Sequence, residues 1–298
     1  MLIIEALSHV YPGGIKALDD VDLVIGKGMF GLLGPNGAGK STLMRIIASL
    51  QAPTAGFVRF GDIDVVRQPR ALRRTLGYLP QDFGVYPRVS ARDMLDHLAV
   101  LKGVADRRAR REMVDSLLNQ VNLWAHRNKA LGGYSGGMRQ RFGIAQALIG
   151  APSLIIVDEP TAGLDPEERN RFLDLLAEIG ENIVVLLSTH IVADVADLCP
   201  AMAILCDGRI VRQGAPTELV GGLAGRLWMK SVDKAELASA RRSMTVISSR
   251  LRAGRTVIHV LADSSPGTGF TPTAGGLDDV YFSTLADCPH RGDPAARL

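Results

Sequence analysis

Cysteine is scarce in this 298-residue chain: Cys199, Cys206 and Cys288 are its three. They form no C-x-x-C pair and are odd in number, which argues against a disulfide framework and for reduced thiols in a cytosolic setting. Long apolar runs are absent as well. A helical membrane span needs about 20 apolar residues, and the runs at 154–157 and 183–187 are far shorter. Work at a membrane would need a span supplied by another chain. An excess of charge is also missing: 34 Lys and Arg face 31 Asp and Glu, a net +3. That is too little to attract a polyanion, so no nucleic-acid partner is expected. Glu5 interrupts the opening Met1-Leu2-Ile3-Ile4 where a signal peptide would extend its apolar core. What remains is 47% hydrophobic and 22% charged, ordinary globular composition, enough for one large domain and a small one.

The stretch Gly34-Pro35-Asn36-Gly37-Ala38-Gly39-Lys40-Ser41-Thr42 organises the chain. It follows the apolar run 29–33, which reads as a short buried strand, and enters 43–48, which reads as a helix. Strand, glycine-rich turn and helix form the context that a G-x-x-x-x-G-K-[ST] phosphate loop requires. Glycines let successive backbone N–H groups point into one concavity, and the helix N-terminus adds partial positive charge. Lys40 is then placed for the β- and γ-phosphates and the Ser41 hydroxyl for Mg²⁺. The competing reading, a glycine-rich turn with a chance lysine, loses because spacing and both flanks agree.

Residues 2–11 read as a first strand, ended by Pro12-Gly13-Gly14, and 17–25 as a half-buried antiparallel strand with Val21, Leu23 and Ile25 inward. Tyr11 is placed either to stack on adenine or as an ordinary strand-edge tyrosine. Further on, 57–60 reads as a strand, 69–74 as a helical turn, and 76–81 as a strand ending in a loop. Ser90-Ala91-Arg92-Asp93 reads as a capping box opening a helix to about 102. A second helix covers about 106–121, with Arg107, Arg108, Arg110 and Arg111 read as a solvated face. Without strand signals, 82–150 reads as a helical subdomain.

Gly132-Gly133-Tyr134-Ser135-Gly136-Gly137 feeds a helix over about 138–149. This second glycine-bearing helix start is suited to an anion, yet without a lysine it is not a complete site in its own chain. The apolar strand 154–157 ends in Asp158-Glu159, where a Mg²⁺-associated acid and a base for the attacking water belong. Asp165-Pro166 starts a helix to about 179. The strand 183–187 leads to Ser188-Thr189-His190, whose histidine is either structural or a γ-phosphate contact. Residues 201–213 form a hairpin about Asp207-Gly208. From about 222 the texture changes: strands near 226–230, 244–251 and 256–261, a helix near 233–242, a loose loop at 264–276 and a last helix at 277–285. A disordered tail is expected from about 287.

Together these pieces resemble the nucleotide-binding subunit of ABC transporters, over about residues 2–220. Tyr11 stands at the adenine-stacking aromatic, GPNGAGKST at 34–42 and Gln81 at the glutamine loop. YSGGM follows at 134–138, LIIVDEP at 154–160, Ala162-Gly163-Leu164-Asp165 at the D-loop and His190 at the switch histidine. The signature departs from the commonest LSGGQ at Tyr134 and Met138 but keeps Ser135, Gly136 and Gly137. Its YSGGMRQR form is similar to bacterial export-type multidrug or antibiotic-resistance subunits, as is the extension carrying Leu277-Asp278-Asp279-Val280-Tyr281-Phe282.

The resemblance implies an α/β P-loop NTPase cassette over 1–221. It would combine a mixed sheet core, an antiparallel β subdomain and a helical subdomain, with a small α+β extension at 222–286. It implies ATP and Mg²⁺ as cofactors. Gly34, Asn36, Gly37, Ala38, Gly39, Lys40, Ser41 and Thr42 would hold the nucleotide, with Tyr11 at its base. Ser41, Gln81 and Asp158 would hold the metal, and Glu159, His190, Lys40 and Gln81 would serve hydrolysis. Ser135, Gly136 and Gly137 would cap the ATP of a second cassette in a head-to-tail dimer. A separate membrane-spanning permease would be the partner, placing this chain in the cytoplasm at the inner face of the membrane. Three alternatives remain at this point: a GTPase-type switch, disfavoured because Asn128-Lys129-Ala130-Leu131 lacks the aspartate of N-K-x-D; a soluble ABC-type ATPase without a membrane partner; and an importer subunit.

Overall fold

The chain's apolar strands alternate between two cores, and that alternation builds the fold. The computed structural model describes residues 1–161 and 163–288; Ala162 of the D-loop and 289–298, most of the anticipated tail, lie outside the described residues. The strands β1 (Leu2–Val10) and β2 (Lys16–Ile25) pair antiparallel, and β3 (Gly28–Leu33) precedes the phosphate loop. After α1 (Lys40–Ile47) come β4 (Ala55–Phe60) and β5 (Ile63–Asp64), completing a four-stranded antiparallel sheet in the order β2-β1-β4-β5. In β2 the side chains of Val21, Leu23 and Ile25 are buried while Asp20 and Asp22 are exposed, as the period of two requires.

The helical turn α2 (Pro69–Thr75) and strand β6 (Leu76–Leu79) lead into the helical subdomain of α3 (Ala91–Leu101), α4 (Arg107–Gln120) and α5 (Gly136–Ala147). Ser90 caps α3 by accepting from the Asp93 N–H, and its hydroxyl donates to the Asp93 carboxylate at 2.6 Å. Then follow β7 (Leu154–Asp158), α6 (Pro166–Gly180), β8 (Val184–Thr189), α7 (Val192–Leu198), β9 (Ala201–Cys206), β10 (Arg209–Gly214) and α8 (Pro216–Gly221). The central sheet runs β10-β9-β3-β8-β7-β6, parallel except for the antiparallel edge strand β10.

Met29, Leu33, Ile155, Val157, Val185 and Leu187 face one core, shared with the helical subdomain and α7. Phe30, Leu32, Leu154, Ile156, Val184 and Leu186 face the other, shared with α1 and the antiparallel sheet. Strands buried on both faces read as continuous apolar runs for this reason. Parallel register sets Leu33 beside Thr189 and Asp158 beside Ser188, so the segments after β3, β8 and β7 emerge together at one sheet edge.

The remainder comprises β11 (Leu227–Val232), α9 (Lys234–Ser243), β12 (Val246–Arg252), β13 (Arg255–Leu261), β14 (Thr271–Pro272) and α10 (Leu277–Ala286), with sheet order β12-β13-β11-β14. A small core of Val232, Ala240, Ile258 and Val260 holds it together. The expected loose loop at 264–276 contains β14, which pairs with β11; Pro272 lacks a donor and fits only such an edge. Leu277, Val280 and Tyr281 of α10 belong to the larger core of the ATPase body.

The cysteines correct the expectation of three free thiols. Cys206 at the end of β9 and Cys288 just after α10 are joined as a disulfide across 82 residues, with Cα atoms 6.6 Å apart. Tertiary packing of the last helix brings them together, which spacing along the chain does not reveal. Cys288 therefore stands outside the anticipated tail. Cys199 is free and buried, and burial, helped by the nearby Asp194 charge, pushes its thiol up to about 12.

Candidate functional site

The phosphate loop closes onto α1 through glycines that need their freedom. Gly37 and Gly39 take φ of 81° and 108°, a left-handed backbone costly for any other residue. A Cβ on Gly39 would also strike the Ala17 carbonyl, and one on Gly34 the Leu205 carbonyl. Strands β2 and β9 thus press directly on the loop. Lys40, the first residue of α1, is buried. Its ammonium donates to the carbonyls of Gly34 at 2.6 Å and Pro35 at 3.1 Å and lies 3.7 Å from Glu159 Oε1. Burial lowers its pKa, opposed by the charges of Glu159 and Asp158.

A cleft of about 340 Å³ opens here, lined by Tyr11, Asn36, Gly37, Gly39, Lys40, Ser41, Thr42, Gln81 and Glu159. Tyr11 sits at its wall, with its hydroxyl 3.0 Å from Thr42 Oγ1 and donating to Gln51 Oε1 at 3.5 Å. Ile15, Lys16 and Ala17 also line the cleft. No motif marks these three residues in the sequence; the Pro12-Gly13-Gly14 turn is the one signal that the chain folds back there.

The acids stand at the end of β7. Glu159 takes φ of 50°, a left-handed conformation that costs a non-glycine residue about 1–3 kcal/mol and persists only when its surroundings dictate it. Its N–H donates to the Ser188 carbonyl at 2.8 Å, and its Oε2 is 2.6 Å from His190 Nδ1. Lys40 thereby lies at one oxygen of the Glu159 carboxylate and His190 at the other.

Asp158 is 4% exposed, and burial raises its carboxyl pKa, with the Ser188 and Ser41 hydroxyls and Lys40 pulling the other way. Its Oδ1 is buried with no hydrogen-bond partner among the described residues. An unpaired buried carboxylate oxygen beside the Ser41 hydroxyl is a hard donor set of the kind a divalent cation takes. Mg²⁺ therefore fits the residues present.

The signature loop is built differently. Ser135 caps α5, its hydroxyl accepting from the Met138 N–H at 3.2 Å, so the helix starts at Gly136 rather than near 138. A Cβ on Gly137 would meet the Glu168 carboxylate of α6, which in turn accepts from Arg141 at 3.3 Å. Ser135, Gly136 and Gly137 do not line the cleft that holds Lys40 and Glu159. Gly34, Ala38, Asp158 and His190 are not among its lining residues; they lie in the loop and at the strand ends, and His190 is exposed.

A phosphate loop between a parallel strand and a helix, with two carboxylates ending a nearby parallel strand, defines a P-loop nucleoside triphosphatase. The family model for ABC transporters matches residues 18–162. The chain is 32% identical over 300 residues to the daunorubicin/doxorubicin resistance ATP-binding protein DrrA of Streptomyces peucetius, covering 94% of this chain and 90% of that one. It is 39% identical over 236 residues to the methionine import ATP-binding protein MetN of Symbiobacterium thermophilum, covering 76% and 70%. A solved dimeric ATP-binding cassette, in a post-hydrolysis state bound to ADP and Pi, superposes with a TM-score of 0.65 at 28% identity over 72% of this chain and 98% of that one. This chain belongs to the ATP-binding, ATP-hydrolysing subunits of ABC transporters. Among its described residues no helix is long and apolar enough to cross a membrane.

Proposed function

We propose that this chain powers export through a separate membrane-spanning permease, by ATP-driven closure of two cassettes. The observation that carries the dimer is the displaced signature loop. Ser135 and the start of α5 offer an anion-binding helix N-terminus away from the cleft of their own chain. A two-fold pair of cassettes gives that terminus a phosphate to bind, each ATP held by one chain's phosphate loop and the other's Ser135 and Gly137. A solved relative is itself dimeric.

Within each site Lys40 and the loop amides hold the phosphates, and Tyr11 supports the base. The strained Glu159 polarises the attacking water, and His190, hydrogen-bonded to it, contacts the γ-phosphate. Ser41, Gln81 and Asp158 would hold Mg²⁺, which when bound neutralises charge between the β- and γ-phosphates. Most of the rate enhancement then comes from positioning and electrostatic stabilisation.

A groove of about 570 Å³ between α1, α2 and β6 on one side and α3 and α5 on the other suits the partner. Leu50 and Leu101, both exposed, and Tyr78 give it apolar contacts, while Arg70, Arg73, Arg74 and Lys102 make its walls basic. A short apolar element of a permease carrying acidic residues fits that chemistry and would hold the chain at the inner face of the membrane. Export is supported by the likeness to DrrA, which extends through residues beyond the cassette; the MetN likeness favours import as the second reading.

The experiment is co-reconstitution with the membrane subunit in inside-out vesicles. ATP-dependent accumulation of a fluorescent anthracycline or another lipophilic cation supports export. Uptake only with ATP inside right-side-out vesicles would establish import.

A further inference from the structure

Asp194 is a charged residue that the motifs leave unassigned. It lies on α7, four residues beyond His190, and is 0% exposed. A carboxylate removed from water is expensive unless its oxygens are satisfied. Here both are. Oδ1 accepts from Arg169 Nε of α6 at 2.7 Å. Oδ2 accepts from the Thr161 hydroxyl at 2.5 Å and faces the Thr189 hydroxyl at 3.5 Å. Thr189 Oγ1 in turn accepts from the Ile191 N–H at 3.0 Å, fixing the bend that carries His190.

The placement of the two threonines matters more than their number. Thr161 is two residues beyond Glu159 and Thr189 immediately precedes His190. One carboxylate thus grips both chain segments that bring Glu159 and His190 to 2.6 Å. The left-handed backbone at Glu159 needs such external restraint. An ion pair with Arg169 alone would satisfy the need to neutralise a buried charge. The buried threonine hydroxyls, one on each catalytic segment, go beyond that need.

We propose that Asp194 is a positioning residue for ATP hydrolysis, its carboxylate setting the mutual orientation of Glu159 and His190 through Thr161 and Thr189. The inference rests on the roles proposed above for those two residues. It touches neither phosphate nor water itself. Its loss should slow turnover without weakening the grip of Lys40 and the loop amides on nucleotide.

The test uses the full-length chain with its membrane subunit. Asp194→Asn, which keeps the shape and one acceptor, is expected to lower kcat roughly 10- to 100-fold, the scale of a small misplacement at the reacting centre. The KM for ATP should stay within about twofold, as expected when the ground-state contacts are untouched. Thr161→Val should lower kcat several-fold and Thr161→Ser restore it. Should Asp194→Asn fail to fold, the Thr161 pair carries the test. Combining Asp194→Asn with His190→Ala should cost less than the product of the two single losses, because part of the Asp194 effect acts through His190.

Turnover near wild type in Asp194→Asn, or losses that multiply in the double variant, would overturn the proposal. So would kcat and nucleotide affinity falling together in a variant that keeps its folded fraction. Glu159→Gln separates the two levels. If that variant hydrolyses ATP normally, the base assignment fails. If it is inactive while Asp194→Asn is active, only the positioning role fails.

Discussion

Two loops of this chain present a glycine-bearing turn to the start of a helix, and they diverge in one side chain. The loop at 34–42 carries Lys40, buried against Glu159 and folded over the carbonyls of Gly34 and Pro35. The loop at 132–137 carries Ser135, whose hydroxyl oxygen accepts from the Met138 N–H and caps its own helix. The first carries a cation, a hydroxyl and neighbouring acids, and so has the parts to bind and cleave a triphosphate. The second has a helix N-terminus and a serine, enough to close over an anion but not to activate it. One equipped site and one bare anion-closing loop on the same chain fit the two-fold pairing proposed above.

Variants can break that contrast. Glu159→Gln should have the largest effect: a fall in hydrolysis of roughly 10²–10⁴-fold, the usual contribution of a general base. Nucleotide affinity should be nearly unchanged and an ATP-bound dimer should accumulate, read by turnover assay and gel filtration; hydrolysis near wild type would remove Glu159 from the base role. Lys40→Ala should weaken ATP binding by roughly 10- to 100-fold, the worth of a charge-assisted contact. Calorimetric titration checks this, and unchanged affinity would contradict the cradle. Ser135→Arg should leave monomer affinity for ATP within about twofold yet abolish the ATP-dependent dimer seen by light scattering. A normal dimer would sink the sandwich. Ser135→Ala sharpens the comparison from the other side: it removes the α5 cap and should cost about 1 kcal/mol of stability in denaturant unfolding.

A pH effect distinguishes the C-terminal region. Burial works against the Asp279 charge, but His259, at 2.6 Å from its Oδ1, with the Gly276 N–H and Arg250 in support, holds its pKa below the ordinary value. The stabilisation is therefore fully present above the unfolded value of about 3.9 and is lost as pH falls through the lower native value. Asp279→Asn should remove that part of the acid sensitivity, giving a flatter plot of unfolding midpoint against pH over that interval. An unchanged slope would rule the pair out as a contributor.

Much of this was legible because its chemistry is contiguous. The phosphate loop occupies nine consecutive residues, and Asp158-Glu159 ends one apolar run, so pattern and spacing sufficed. The alternation in 17–25 and the Asp207-Gly208 turn likewise announced their strands, and both turn residues take positive φ. What stayed hidden depends on sheet register. Ile15, Lys16 and Ala17 reach the cleft only because β2 lies against the loop. Asp194 meets Thr161 and Arg169 only because β7 and β8 are neighbours. Cys206 finds Cys288 only once α10 has docked. Strands β5 and β14, of two residues each, are too short to impose a period on the sequence.

The docking of α10 has a consequence for anyone wishing to shorten the molecule. Leu277, Val280 and Tyr281 sit in one apolar cluster with Leu187 and Val195, so the final helix roofs the body it follows. Trimming the chain after Gly221 would not detach an independent appendage. It would lay bare an oily trench along α7, directly behind the histidine, and the abbreviated product should clump rather than work.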